Sequence, residues 1–124
     1  MILEFTRKTA RPGLVVLIMK GSIHCGPECA RLEREVEGIL SSGQARVIFD
    51  MAGVTHADSA AIGAIVHCLQ KLKAAGGGLR IAAPQSMIDH SLKLTKVDKV
   101  IEIFPNVDQA AEGFVPPSSA QNPV

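Results

Sequence analysis

The middle of the chain, residues 46–83, constrains the fold most, because a strand pattern, a helix pattern and a second strand pattern follow one another there. The run from Arg46 to Met51 is apolar on both faces, as in a central buried strand, and we expect Gly53 to close it. An apolar helical stripe then covers residues 60–73, and a second strand is predicted from Leu79 to Ala83. Two strands joined by a helix pair in parallel through a right-handed crossover, so this segment predicts an α/β fold.

The flanking segments extend the same alternation of strands and helices. A hairpin of two strands is predicted around Pro12-Gly13, over about residues 3–9 and 14–20. The other predicted elements are a helix from Pro27 to Ser42 with Ala30, Val36, Ile39 and Leu40 on its apolar side, a helix from Pro84 to Leu94, a strand from Val100 to Phe104 and a final helix from Val107 to Gly113. The predicted order is therefore β-β-α-β-α-β-α-β-α, with a mixed β-sheet of about five strands, helical crossovers and parallel later strands.

The length of 124 residues is that of one domain, and the pattern contains no internal repeat. We predict that residues 1–114 form this domain. Residues 115–124 are rich in Pro and Ser, a composition typical of linkers, so we predict a disordered C-terminal tail.

The charge balance argues against direct binding of nucleic acid. Thirteen Lys plus Arg against twelve Asp plus Glu give a formal net charge of +1, and aromatic residues make up 3% of the chain. Nucleic acid partners require a concentrated basic surface and stacking platforms. The longest apolar run is shorter than the roughly 20 residues that span a bilayer, and the N-terminus lacks the apolar core of a signal peptide. We therefore expect a cytoplasmic protein without membrane insertion.

Two cysteines and a histidine, His24, Cys25 and Cys29, lie within six positions and invite a metal interpretation. The spacing argues against it, because a predicted helix begins at Pro27 and carries Cys29 away from Cys25. We interpret Cys29 and Cys68 as small, reduced core residues and expect no metal or cofactor. A metal or redox sensor that uses His24, Cys25 and Cys29 remains an alternative of a different class.

The spacing of the candidate catalytic residues argues against an enzyme. His56, Asp58 and Ser59 are so close at a helix entrance that their side chains diverge, whereas a catalytic triad gathers its members from separate elements. The glycine triplet at residues 76–78 follows a helix and precedes a strand, which is the reverse of a phosphate-binding loop. We therefore expect no enzymatic activity.

The entrance of the central helix, residues 56–63, carries either Asp58 or Ser59 as its N-cap. A phosphate on Ser59 would add about −1.5 to −2 charges beside the Asp58 carboxylate. The helix N-terminus tolerates such a group. A phosphate there could therefore leave the fold intact and still spoil a docking surface.

Several segments together resemble the STAS family, the sulphate-transporter and anti-sigma-factor-antagonist domain. The resemblance covers about residues 3–114, and its most specific part combines the strand that contains Asp50, the Asp58-Ser59 helix entrance and the later glycine-strand-helix order. The segments that carry it are Val47–Val54, Asp58–Gly63, Gly77–Ile81, Leu92–Thr95 and Val97–Val100.

The resemblance implies a bacterial anti-sigma factor antagonist. In that family an anti-sigma factor with serine kinase activity sequesters a sigma factor, and the unphosphorylated antagonist binds the kinase and frees sigma. The kinase phosphorylates the serine that follows the aspartate, which is Ser59 here, and a phosphatase is a further implied partner. The implied partner-binding residues are Asp58, Ser59, Ile62 and Gly63, with Ser22 and His24 on the adjacent loop.

Two roles and the oligomeric state stay open within this family. The chain could instead be a STAS subunit of a signalling assembly or of a membrane transport complex, in which Ser59 only caps its helix. A homodimer is also left open, because the apolar residues of the predicted helices serve either a core or a dimer face.

The sequence departs from the family pattern at three places. Ala60-Ala61 replaces a frequent Ser-Gly, which leaves Ser59 as the only residue with a hydroxyl group at the helix entrance, residues 56–63. His24 replaces a frequent acidic residue. Lys96 stands where a helix-ending glycine is frequent, and a positive φ there would cost about 1 kcal/mol.

Overall fold

The computed structural model describes residues 3–24 and 26–114, and its strands form one five-stranded sheet. The strands are β1 (Glu4–Arg11), β2 (Leu14–Ile23), β3 (Arg46–Ala57), β4 (Gly78–Ala82) and β5 (Glu102–Phe104). The helices are α1 (Pro27–Ser41), α2 (Ser59–Ala74), α3 (Ser86–Leu94) and α4 (Val107–Ala111), with a 3₁₀ helix at Val97–Lys99. The element order agrees with the predicted one apart from this short 3₁₀ helix.

The spatial order of the strands is the same as their sequence order, β1-β2-β3-β4-β5. β1 and β2 are antiparallel and are joined through Gly13, whose φ of 84° requires glycine. Every later pair in the sheet is parallel, and α1, α2 and α3 connect the successive parallel strands. The predicted mixed sheet with helical crossovers is therefore confirmed.

Alternate residues of β2 face two apolar clusters on opposite sides of the sheet. Val15 and Leu17 join the main core, which packs the sheet against α1, α2 and α3. Leu14 and Val16 join a smaller cluster with Ala110 of α4. The sheet is thus covered by helices on both faces.

Strand β3 is longer than predicted, because Gly53 lies inside it and does not close it. A side chain at Gly53 would bring a Cβ within 2.9 Å of the carbonyl oxygen of Met19, where the pairing of β2 with β3 is irregular. Glycine therefore permits a close backbone approach, and β3 continues to Ala57. The extra residues carry the chain to the entrance of α2.

Smaller differences from the predicted elements have local causes. On α1 the fully buried side chains are Leu32, Val36 and Ile39, whereas Ala30 is exposed because it lies on the solvent side. The predicted strand from Val100 begins only at Glu102, because the 3₁₀ turn occupies the residues before it. The prediction of a disordered tail at 115–124 lies outside the described residues.

The helices are too short or too polar to cross a membrane, as judged on the residues that the structure describes.

Candidate functional site

Asp58 is the N-cap of α2. Its Oδ1 accepts the backbone N–H of Ala61 at 2.9 Å, and its own N–H donates to the carbonyl of Ile23 at the end of β2, at 3.3 Å. Ser59 is the first helical residue and is exposed, and its hydroxyl makes no hydrogen bond with the described part of the chain. Of the two predicted capping residues, Asp58 therefore has this role, and the Ser59 hydroxyl is open to solvent.

The parallel register of β2 and β3 brings two histidines together beside this helix entrance. Ser22 pairs with His56, so His24 follows the same strand end, and the rings of His24 and His56 stack with centroids 6.5 Å apart and planes 27° apart. The Oγ of Ser22 lies 3.3 Å from Oγ1 of Thr55 and 3.5 Å from Nδ1 of His56. These polar contacts fix the two strand ends relative to each other.

His24 also faces the capping aspartate. Its Nδ1 lies 3.9 Å from Oδ2 of Asp58, while Oδ1 of the same carboxylate caps the helix. Both side chains are exposed, so water screens the attraction between them and its contribution to stability is small. The pair therefore orients groups at the surface and does little to hold the fold together.

A groove of about 230 Å³ separates the end of β3 from α3. The imidazoles of His24 and His56 lie along one side of it, and the side chain of Met87, which is 81% exposed, lies along the other. The lining residues are His24, Thr55, His56, Ala57, Asp58, Met87, Ile88 and Ser91. Polar and apolar side chains thus line the groove together next to the α2 entrance.

The predicted partner-binding residues divide into an outer and an inner set. His24, Ser59 and Gly63 are exposed, and Asp58 is partly exposed beside them. Ile62, at 7% exposure, packs in the main core, and Ser22, at 8%, is buried under the strand ends. These two support the surface from below, because the apolar stripe of α2 and the end of β2 both turn inwards.

Met87 and Thr55 are groove residues that the sequence reasoning did not assign, and His56 was considered there only as a catalytic group. The pairing of β2 with β3 places His56 at the groove, and this pairing requires β3 to continue past Gly53. The strand predicted from the sequence ends at Gly53, so His56 was not placed there. Met87 was predicted as part of an apolar helix pattern, and its sequence position alone does not distinguish a core methionine from an exposed one.

Neither catalytic nor metal-binding geometry is found in the described ranges, 3–24 and 26–114. Nδ1 of His56 contacts the hydroxyls of Thr55 and Ser22 and not that of Ser59, and no cluster of three or more His, Cys, Asp or Glu side chains there could hold a metal ion. The Sγ of Cys29 donates to the carbonyl of His24 at 3.2 Å. Cys25, which the metal alternative needs, lies outside the described residues.

Cys68 is a buried core residue, as predicted. Burial raises the pKa of its thiol to about 12, and the nearby carboxylate of Glu33 acts in the same direction. The thiol therefore stays neutral at physiological pH and behaves as a small hydrophobic side chain.

The family model of the STAS domain matches residues 6–110, and the chain belongs to this family. A Thermotoga maritima protein that is provisionally named an anti-sigma factor antagonist is 26% identical over 73 residues, which are 59% of this chain and 65% of the relative. The matched part of the chain thus spans less than two thirds of that relative's length.

Solved structures agree on the fold. The crystal structure of a T. maritima protein with the same provisional name superposes with a TM-score of 0.81 at 22% identity, and covers 89% of this chain and 93% of that chain. The Bacillus cell fate determinant SpoIIAA in its phosphorylated form superposes with a TM-score of 0.67 at 13% identity, and covers 86% and 96%. At these identities the likeness establishes the mixed α/β fold that the sequence predicted.

Proposed function

We propose that this chain is an anti-sigma factor antagonist whose activity is switched by phosphorylation of Ser59. In its unmodified form it binds an anti-sigma factor that is also a serine kinase, and this binding releases a sigma factor. The observation that carries the proposal is the Ser59 hydroxyl, which is exposed and without a hydrogen bond in the described chain because Asp58 caps the helix. The names of the T. maritima relatives, and that of the phosphorylated Bacillus neighbour, support it.

The switch works by electrostatics at the surface. A phosphate dianion on Ser59 gains about 0.3–1 kcal/mol from the N-terminus of α2, which roughly offsets its repulsion from Asp58. At an interface the same charge has to be desolvated or matched, and an unpaired buried charge costs several kcal/mol. The fold therefore tolerates the phosphate, whereas the complex with the kinase does not.

The proposed role has several further features. A phosphatase restores the active form, residues 1–114 act as one binding domain, and the chain works by protein–protein contact in the cytoplasm without catalysis of its own. Exposed groups near Ser59, namely His24, Asp58 and Gly63, form the contact surface, and the buried side chains of Ser22 and Ile62 hold it in shape.

The test is phosphoryl transfer from anti-sigma kinases of the same genome. The chain is incubated with each kinase and ATP, and mass spectrometry locates the phosphate. Ser86→Ala is the matched control, because Ser86 is also an exposed serine at the first position of a helix. We expect Ser59→Ala to abolish transfer and Ser86→Ala to leave it unchanged. Phosphate on another residue, or undiminished transfer to Ser59→Ala, would contradict the proposal.

A further inference from the structure

Strand β1 is one edge of the sheet, and its outer side has no partner strand among the described residues. Six of its eight residues are exposed. The outward backbone N–H and C=O groups of an edge strand are free to pair with another strand. The opposite edge, β5, is only three residues long and offers little backbone for pairing. β1 is therefore the edge at which another strand can add to this sheet.

The side chains of β1 alternate between the two faces of the sheet. Glu4, Thr6 and Lys8 share the face that carries α4. Phe5 and Arg7 share the opposite face, on which the main core lies. Neither Glu4 nor Lys8 makes an ion pair within the described part of the chain. Two opposite charges thus remain unpaired on one face of this edge strand.

Symmetry limits how two copies of β1 can pair. Antiparallel strands related by a two-fold axis place residues of the same face opposite each other. A register centred on Thr6 places Glu4 of each copy opposite Lys8 of the other. Registers centred on Arg7 or Lys8 place that residue opposite its own copy, so like charges meet, and one centred on Phe5 pairs no opposite charges. Charge complementarity therefore selects the register centred on Thr6.

We propose that two copies of this chain pair antiparallel along β1 and form one continuous sheet, with Glu4 of each copy beside Lys8 of the other. Phe5 then lies opposite Arg7 of the second copy. Nε of Arg7 lies 3.1 Å from Oε1 of Glu35 in its own chain, so Arg7 adds no unpaired charge to the contact.

Two features of the strand limit this assembly to a dimer. The pairing of β1 with β2 is irregular between Thr9 and Arg11, so the regular part of the edge ends there. The contact also uses the same strand of both copies, so the assembly is closed once two copies have met. The α2 entrance follows β3, and β2 separates β3 from β1, so each copy keeps its own α2 entrance outside the contact.

The first experiment measures the monomer–dimer equilibrium by sedimentation equilibrium and needs no kinase, so it is independent of the proposed function. The paired stretch is short, so we expect a weak dimer with a dissociation constant of roughly 0.1 mM. Glu4→Lys and Lys8→Glu should each raise this constant about tenfold, because like charges then meet at two symmetric places. The double variant restores opposite charges and should return the constant to within about twofold of the native value.

The matched control for the charge change is Lys99→Glu, because Lys99 is exposed in the 3₁₀ helix before β5, at the other edge of the sheet. It should leave the dissociation constant unchanged. A monomer at every concentration, equal effects of Lys8→Glu and Lys99→Glu, or a double variant as weak as the single ones would overturn the proposal.

The second experiment tests the register without changing a charge. Thr6 lies on the proposed two-fold axis, so the two Cβ atoms at this position are about 4.5–5.5 Å apart, within reach of a disulfide. Thr6→Cys is treated with oxidised glutathione in a Cys25→Ser, Cys29→Ser background, and non-reducing electrophoresis detects the covalent dimer. Thr9→Cys is the matched control, because Thr9 is also exposed on β1 but lies off the axis. We expect Thr6→Cys alone to cross-link, and equal cross-linking of the two variants, or none with Thr6→Cys, would overturn the proposal.

Discussion

Oδ1 of Asp58 lies 2.9 Å from the backbone nitrogen of Ala61, so Asp58 caps α2 and Ser59 does not. The aspartate satisfies a backbone donor at the start of α2, while the serine after it takes no part in capping. A modification of Ser59 therefore changes the surface without removing an interaction that holds the helix.

The first prediction concerns the stability of the helix entrance. Asp58→Ala should lower the free energy of unfolding by about 1 kcal/mol, because it removes the N-cap hydrogen bond. Ser59→Ala should change it by less than about 0.5 kcal/mol, because the exposed hydroxyl has no partner in the described chain. Urea denaturation measures both, with Asp58→Asn as a control that retains a capping oxygen. A larger loss for Ser59→Ala than for Asp58→Ala would show that the serine is the cap.

The second prediction concerns the phosphorylated form. Phosphoserine at position 59 should shift the thermal midpoint by no more than a few degrees, because the helix N-terminus and Asp58 act on it with opposite signs. The affinity for the kinase should fall by about a hundredfold or more, which corresponds to about 2.7 kcal/mol. Calorimetry and binding titrations of the native, phosphorylated and Ser59→Asp forms measure both quantities. A large shift in melting with little loss of affinity would contradict the mechanism, and equal affinities would remove Ser59 from the switch.

The third prediction concerns Lys96, which has φ 62° and ψ 22° between α3 and the 3₁₀ helix. Lys96 thus has the left-handed conformation that favours glycine. Lys96→Gly should raise the free energy of unfolding by about 0.5 kcal/mol, because relief of about 1 kcal/mol of backbone strain exceeds the added entropy of the unfolded chain. The matched control is Lys99→Gly, which changes an exposed residue of the 3₁₀ helix and should be destabilising. Urea denaturation measures the free energy of unfolding of both variants. An equal decrease in the two would show that Lys96 is unstrained.

The fourth prediction concerns alkaline pH. The pKa of Cys68 is raised by burial to about 12 from 9.0, so the unfolded thiol ionises before the folded one. The stabilisation of the folded state by the neutral thiol is fully present below pH 9. It is lost as the pH rises towards 12, by up to about 1.4 kcal/mol per pH unit. Cys68→Ala should be less stable at neutral pH and should lose less stability between about pH 9 and pH 11. Chemical denaturation over this range measures the two slopes, and identical slopes would contradict the prediction.

The order of the elements could be predicted from the sequence, because periodicity is a local property of each segment. The length of β3 could not, because a glycine inside a strand has the same local signal as one that ends it. Gly53 lies inside the strand at a point where β2 approaches it closely, and that approach is a non-local contact.

The candidate site was predictable in part for the same reason. Asp58 and Ser59 could be placed at a helix entrance from their own neighbours in sequence. The stacking of His24 on His56 depends on the register between two strands, and the burial of Ile62 depends on which side of α2 faces the sheet. From the sequence alone, an apolar residue beside a docking surface can therefore be interpreted either as a core residue or as a contact residue.

The sequential strand order has a consequence for folding during synthesis. β2 can pair with β1 as soon as both have left the ribosome, and each later strand then adds to an edge that already exists. No strand has to enter between two that are already paired, which keeps loop closures short and limits the time that unpaired edges are exposed. The edge that receives β4 is β3, so the groove histidines and the α2 entrance can assemble before the second half of the sheet is made.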